Sequence, residues 1–147
     1  MEIKKIYGSV LALTLVGATA WIVARTSLMQ TVRSAHSSPG AALAEVQVPA
    51  KLSTKAAAGK TFYDADCASC YGANAAGQDA IAPPLVHKIY EPSHHGDAAF
   101  LVAVRNGTRQ HHWSFGSMLP VDQKLTDGEI AAITLYVREL QRENGII

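Results

Sequence analysis

The chain has only two cysteines, Cys67 and Cys70, and they stand three residues apart. That spacing constrains the fold more than any other feature. A disulfide framework needs cysteines spread along the chain so that cross-links can stand in for a core, and one close pair cannot staple distant segments. The 147 residues must therefore cohere by burying apolar side chains. At 48% hydrophobic and 17% charged, they suffice for one modest domain plus a separate greasy stretch. The pair also ends a helix-like run. Redox-active C-x-x-C pairs lie at helix N-termini, where the dipole lowers the attacking thiol's pKa, and no βαβ pattern surrounds this one. Thiol–disulfide exchange is therefore the weaker reading.

The greasy stretch is at the N-terminus. Lys4 and Lys5 precede an uncharged run over residues 6–24, IYGSVLALTLVGATAWIVA, which stops at Arg25. About 20 apolar residues of helix cross a bilayer core, and Tyr7 and Trp21 sit near the two ends, where interfacial aromatics belong. Ala18-Thr19-Ala20 resembles a signal-peptidase site, but the apolar run continues through Trp21, Ile22 and Val23. We read an uncleaved anchor over a cleaved signal. The expected organisation is a cytoplasmic N-terminus (1–5), a transmembrane signal-anchor (6–24), a linker (25–53) and a folded domain (54–147). The domain then faces the periplasm or cell exterior, and cleavage would instead release it into the periplasm. Residues 25–53 mix turn formers with small residues, as a tether does, and His36 within them reads as a solvated linker residue.

The net charge of +1 conceals an uneven split. Residues 1–50 carry four Lys/Arg against two Glu, and residues 51–147 carry nine basic against ten acidic. A nearly neutral domain without a basic stripe has no means of binding nucleic acid through counterion release.

Within the domain, Thr54 is a candidate cap for a helix running toward Cys67, with Ala56, Gly59, Phe62 and Tyr63 on its inner side. Glycine inside a helix costs about 1 kcal/mol relative to alanine, so Gly59 suggests close contact with a second helix. After the cysteines a small-residue loop leads to Pro83-Pro84-Leu85, an extended path set by two locked φ angles. Asp97 is expected to cap a helix over 98–105 with Phe100, Leu101 and Val104 on one face, stopped by Gly107. Thr126-Asp-Gly-Glu129 is a capping-box pattern, and Ile130, Ile133, Val137 and Leu140 follow at helical spacing beside Tyr136. No stretch alternates with period two. The domain is expected to be all-α, with about three to five helices and long loops.

A helix ending in C-x-x-C, a proline turn, a middle helix, Met118-Leu-Pro and an amphipathic last helix, in this order, resemble a class I c-type cytochrome of the membrane-anchored, monohaem kind. The likeness covers residues 54–141. It implies one haem c per chain, held by thioethers from Cys67 and Cys70. Met118 would be the distal iron ligand, its soft sulfur raising the reduction potential. It further implies that the Pro83 carbonyl orients the proximal ligand, that Gly59, Tyr63 and Tyr136 mark the crossing of first and last helices, and that Trp113 and Phe115 wall the crevice. The implied role is single-electron transfer in a respiratory or dehydrogenase-linked chain, as a carrier rather than an enzyme. Its partners would be the membrane and a redox protein such as a dehydrogenase or terminal oxidase.

The sequence departs from the family signature C-x-x-C-H at the proximal position, which is Tyr71. Covalent attachment is thereby put in question. Tyr71 can ligate as phenolate, a histidine such as His87 can substitute, or the iron can remain five-coordinate with Met118. A haem-free, cytochrome-like binding or assembly subunit is the alternative reading. His94-His95 and His111-His112 offer four imidazoles within a short stretch, a set that could hold zinc or copper. Adjacent histidines project in different directions and none is spaced i, i+4, so we read them as loop and surface residues, with His111 or His112 a candidate partner for a haem propionate.

Overall fold

The computed structural model describes residues 38–121 and 124–147. The run at 6–24, its flanks and His36 lie outside the described residues. Among those described, no helix is long and apolar enough to cross a membrane. The described residues form four α-helices, α1 (Thr54–Asp66), α2 (Ala68–Tyr71), α3 (Asp97–Asn106) and α4 (Asp127–Glu143), with 3-10 turns at Ala73–Ala75 and Lys88–Tyr90. β-structure among the described residues is limited to two isolated antiparallel bridges, Gln78 to Ala82 and Thr108 to Met118. The helical expectation is met.

The core is the crossing of α1 and α4. Ala56, Gly59 and Tyr63 of α1 are buried against Ile130, Ile133, Tyr136, Val137 and Leu140 of α4. At Gly59 the two backbones are so close that a Cβ would lie 1.9 Å from the Ala132 carbonyl oxygen. The glycine's helix cost is therefore the condition for the crossing. Tyr63 and Tyr136 meet edge to face at 5.4 Å between ring centroids, a favoured aromatic geometry. Their hydroxyls leave the core toward the following loop, donating to the Gly72 carbonyl at 2.8 Å and to Asn74 Oδ1 at 3.0 Å.

The helix ends follow cap chemistry, with two corrections. In α4 the expected capping box forms, Thr126 Oγ1 accepting from the Glu129 amide and the Glu129 carboxylate from the Thr126 amide. In α1 the cap is Ser53, not Thr54. Ser53 is the residue with extended backbone, and its hydroxyl accepts from the Ala56 amide at 3.2 Å. Asp97 does not cap α3 either; it is the first helical residue and Gly96 precedes it. Its carboxylate is drawn away by Arg138, whose Nε donates to Asp97 Oδ1 at 2.8 Å.

Arg138 is a feature that helical periodicity does not announce. It is 5% exposed on the core side of α4. Nη1 donates to the Tyr90 carbonyl and to Gln141 Oε1, both at 2.6 Å, and Nη2 donates to the His95 carbonyl. Its guanidinium also lies 4.9 Å from the centroid of the Phe100 ring. Buried Gln141 continues the stitching, donating to the Leu85 and Tyr90 carbonyls at 2.8 and 3.0 Å. In the irregular stretch from Leu85 to His95 these two side chains satisfy the carbonyls of Leu85, Tyr90 and His95.

Residues 40–53, expected as the end of a linker, lie along the domain as an extended strap. The Leu43 and Ala44 amides donate to the Ala76 carbonyl, and Gly40 and Ala41 exchange hydrogen bonds with Asp79. Gln47 and the Asn144 side chain bond in both directions, and Val46 and Leu52 pack on the core. A composition rich in small residues and proline marks non-helical backbone. It does not distinguish a free tether from one bonded along its length.

Candidate functional site

The C-x-x-C stretch begins where α1 ends. Cys67 leaves helical geometry at φ −119°, yet its amide still donates to the Tyr63 carbonyl. The one-turn helix α2 follows and closes at Gly72, with φ +73°. Its last carbonyls would be orphans without help. Gln78 supplies it, Nε2 lying 3.3, 2.8 and 3.0 Å from the carbonyl oxygens of Ala68, Ser69 and Cys70. Gly77 lets the loop approach the proline turn, since a Cβ there would lie 2.5 Å from the Pro84 nitrogen. Gln78 was not identified from the sequence, where a lone glutamine in a small-residue loop carries no signal.

Across from this turn runs the loop that bears Met118. It is pinned at its base by a pair of backbone hydrogen bonds between Thr108 and Met118, of 3.0 and 2.9 Å. Between the two lies a cavity of about 450 Å³, within the roughly 300–1,000 Å³ typical of cofactor sites. Cys67, Tyr71, Leu85, Tyr90, Phe100, Val104 and Met118 line it, with His95 and His111. Three of the residues singled out from the sequence, Cys67, Tyr71 and Met118, thus share one largely apolar cavity.

Cys70, Pro83, Trp113, Phe115 and His87 are outside that lining. Cys70 is exposed and outside the lining, its sulfur near Ser69 Oγ. Pro83 is half-buried behind the C-x-x-C loop. Trp113 and Phe115 stack on each other at 6.0 Å, and Trp113 meets His87 edge-on at 5.0 Å. His87 is also outside the lining, and its Nδ1 accepts from the Ile89 amide.

Burial controls the ionisable groups. It pushes the Cys67 thiol up to about 12, with Asp66 and Cys70 adding to the shift. It also raises Tyr71 well above the ordinary phenol range, reinforced by Tyr90, Cys67 and Cys70. At neutral pH Cys67 is a thiol and Tyr71 a phenol. A neutral, buried thiol is the reverse of what disulfide exchange requires.

A haem fits these residues on two counts. The cavity offers an apolar slot between a cysteine and a methionine. Beside it, the indole Nε1 of Trp113 is buried with no hydrogen-bond acceptor. Burial raises the Tyr90 phenol above its ordinary range, and the nearby Trp113 N–H offsets only part of that rise without finding an acceptor there. A buried donor without a partner costs about 1–3 kcal/mol, and an anionic group of a bound cofactor would satisfy it.

The histidines lie in loops, and His94, His111 and His112 are exposed, as expected of surface residues, but they are not apart from one another. His94, His95 and His112 converge, with one ring nitrogen from each lying within 4.8 Å of the others. The rings within each pair also meet, at 4.6 Å between centroids for His94 and His95 and 4.2 Å for His111 and His112, and the fold sets the turn before α3 against the Met118 loop, bringing the two pairs together.

The sequence matches the family described as Cytochrome c over residues 56–141. Among curated proteins it is 39% identical over 99 residues to the Cbb3-type cytochrome c oxidase subunit CcoP of Azospirillum brasilense, covering 61% of this chain and 31% of that protein. It is also 39% identical over 93 residues to the subunit of the same name from Azospirillum sp. (strain B510), covering 58% of this chain and 29% of that protein. The chain thus spans under a third of the length of these relatives. No solved structure matches it significantly.

Proposed function

This chain belongs to the cytochrome c family, and from that premise we propose that it carries single electrons on one haem c seated between the Cys67–Tyr71 turn and Met118. It is an electron carrier and not itself an enzyme. The observation that carries the reading is the shared cavity, which brings Cys67, Tyr71 and Met118 together across 51 residues of sequence, from position 67 to position 118.

Cys67 and Cys70 would hold the group through thioethers, each S–H adding across a vinyl double bond. Cys70, exposed one turn further on, has the freedom to swing toward the same edge. Met118 would supply the distal sulfur, and Trp113 Nε1 the hydrogen bond to a peripheral carboxylate. The bound group supplies an iron that cycles between ferrous and ferric states. The Pro83 carbonyl would orient the proximal side.

Tyr71 occupies the position of the proximal histidine, and burial keeps the proton on its oxygen. A neutral phenol is a poorer ligand than an imidazole, and a phenolate favours the ferric state. On either count Tyr71 impairs transfer at the potentials a His/Met site supports. The alternative, a haem-free binding or assembly subunit, is favoured by this same substitution.

The similarity to oxidase subunits supports a place in a respiratory chain, with a terminal oxidase or a dehydrogenase as partner. Residues 6–24 would anchor the protein, with the domain outside the inner membrane. The test is expression with a haem-attachment system, for wild type and Tyr71→His. The variant should gain the mass of one haem and show a low-spin spectrum with a methionine-to-iron charge-transfer band. A Tyr71→His protein that stays colourless and haem-free would overturn the carrier reading in favour of the haem-free subunit.

A further inference from the structure

We propose that His94, His95 and His112 form a binding site for a borderline divalent transition-metal cation such as zinc, clamping the turn before α3 to the Met118 loop. Nothing in this inference depends on haem being attached.

The nitrogens are already close to what a metal needs. His94 Nε2 and His112 Nε2 lie 3.2 Å apart. Imidazole nitrogens about 2.0–2.1 Å from a tetrahedral zinc are separated by about 3.3 Å, so this pair already spans one edge of the tetrahedron. The third nitrogen is within 4.8 Å of both and has at most about 1.5 Å to close to reach that spacing. His111 stands alongside, its ring 4.2 Å from that of His112, and it or water can fill the fourth position.

The outer contacts match those of metal-bound histidines, which usually donate the other ring N–H to a carbonyl or carboxylate. His95 Nδ1 lies 2.7 Å from the Ile89 carbonyl oxygen, and His111 Nδ1 lies 2.8 Å from that of Arg109. A carbonyl can only accept, so both Nδ1 atoms carry the proton and both Nε2 atoms present a lone pair. The backbone under the cluster is also held. The His95 carbonyl accepts from buried Arg138, and the Thr108–Met118 pair closes the base of the other loop.

Between His94 and His112 one ring donates and the other accepts. When a cation takes both Nε2 atoms, the donating ring moves its proton to Nδ1, so no proton need be released. An all-imidazole donor set suits zinc, copper and nickel and is a poor match for magnesium or calcium.

The test is competition for Zn²⁺ between the full chain and a chromophoric zinc indicator, in wild type, His94→Gln/His112→Gln and Cys67→Ser/Cys70→Ser. Wild type should bind one Zn²⁺ that excess Mg²⁺ does not displace. The histidine variant should lose at least about tenfold in affinity, and the cysteine variant should match wild type. Zinc should also slow amide exchange in residues 91–96 and 108–118 in wild type but not in the histidine variant. Both histidines are exposed, so the variant should retain its far-UV circular dichroism. Absence of zinc binding, affinity unchanged by the histidine substitutions, or loss of the single site with the cysteines would each overturn the proposal.

Discussion

Replacing Arg138 should damage the fold more than any other single polar change. In Arg138→Leu the replacement still fills the space beside Phe100, but every donor is lost. The Tyr90 carbonyl keeps Gln141 Nε2 at 3.0 Å. The buried Gln141 Oε1 and the part-buried His95 carbonyl lose their arginine donor. Two stranded acceptors at about 1–3 kcal/mol each give about 2–6 kcal/mol. The ion pair adds little, because Asp97 is 73% exposed and solvent replaces much of what the guanidinium supplied. A loss of about 3 kcal/mol should lower the midpoint of thermal unfolding by about 12–20 °C in a domain of this size. Urea titration followed by circular dichroism at 222 nm gives the free energy directly. Arg138→Lys separates charge from geometry, since an ammonium keeps the charge but cannot reach four acceptors as the planar fork does. It should show most of the same loss. If Arg138→Leu falls within about 0.5 kcal/mol of wild type, or if Arg138→Lys is fully stable, then the stitched carbonyls do not hold this loop in place.

Other outcomes follow from the same geometry. Gly59→Ala puts a methyl 1.9 Å from a backbone oxygen, so α1 and α4 must separate, and unfolding measurements should show a loss of about 1–3 kcal/mol or more despite alanine's better helix propensity. Thr126→Ala removes the cap of α4 and should cost about 1 kcal/mol. In protein lacking haem, iodoacetamide should label exposed Cys70 well before Cys67 at pH 8, with mass spectrometry locating the adduct, and equal rates would contradict the burial of Cys67. Folding raises the Cys67 thiol to about 12 from an ordinary value of 9.0, so the unfolded chain gives up that proton first. The corresponding stability is intact below pH 9 and is lost as pH rises toward 12, which alkaline denaturation of Cys67→Ala against wild type would reveal.

What could be read from the sequence was what local chemistry decides. The last helix, its capping box, the Gly59 contact and the order of C-x-x-C, proline turn and Met118 are short-range patterns, each with a direct physical cause. The displaced caps at Ser53 and Asp97 show where that ends. Serine and threonine are near-equal caps when adjacent, and Asp97 was claimed by an arginine 41 residues away. Gln78 and Arg138 escaped notice because their partners are backbone carbonyls of remote loops, and the two histidine pairs, weighed as a zinc or copper set, were set aside because their spacing carries no sign that their loops meet. Carbonyls leave no mark in a sequence. The strap over residues 40–53 was missed because its composition specifies what the backbone avoids and is silent on what it binds.

The pair of hydrogen bonds between Thr108 and Met118 has a consequence for how this protein can vary. Met118 lies at the pinned base of its loop, so residues 109–117 hang from a closed ring whose ends are fixed by Thr108 and Met118 themselves. Lengthening such a loop is cheap, about 0.6 kcal/mol for a doubling. The loop can therefore be lengthened at exposed Gly116, beyond His111, His112 and Trp113, while Thr108 and Met118 keep its base closed. Length added there would be absorbed beyond the closed ring, leaving the residue that faces the cavity anchored at its base.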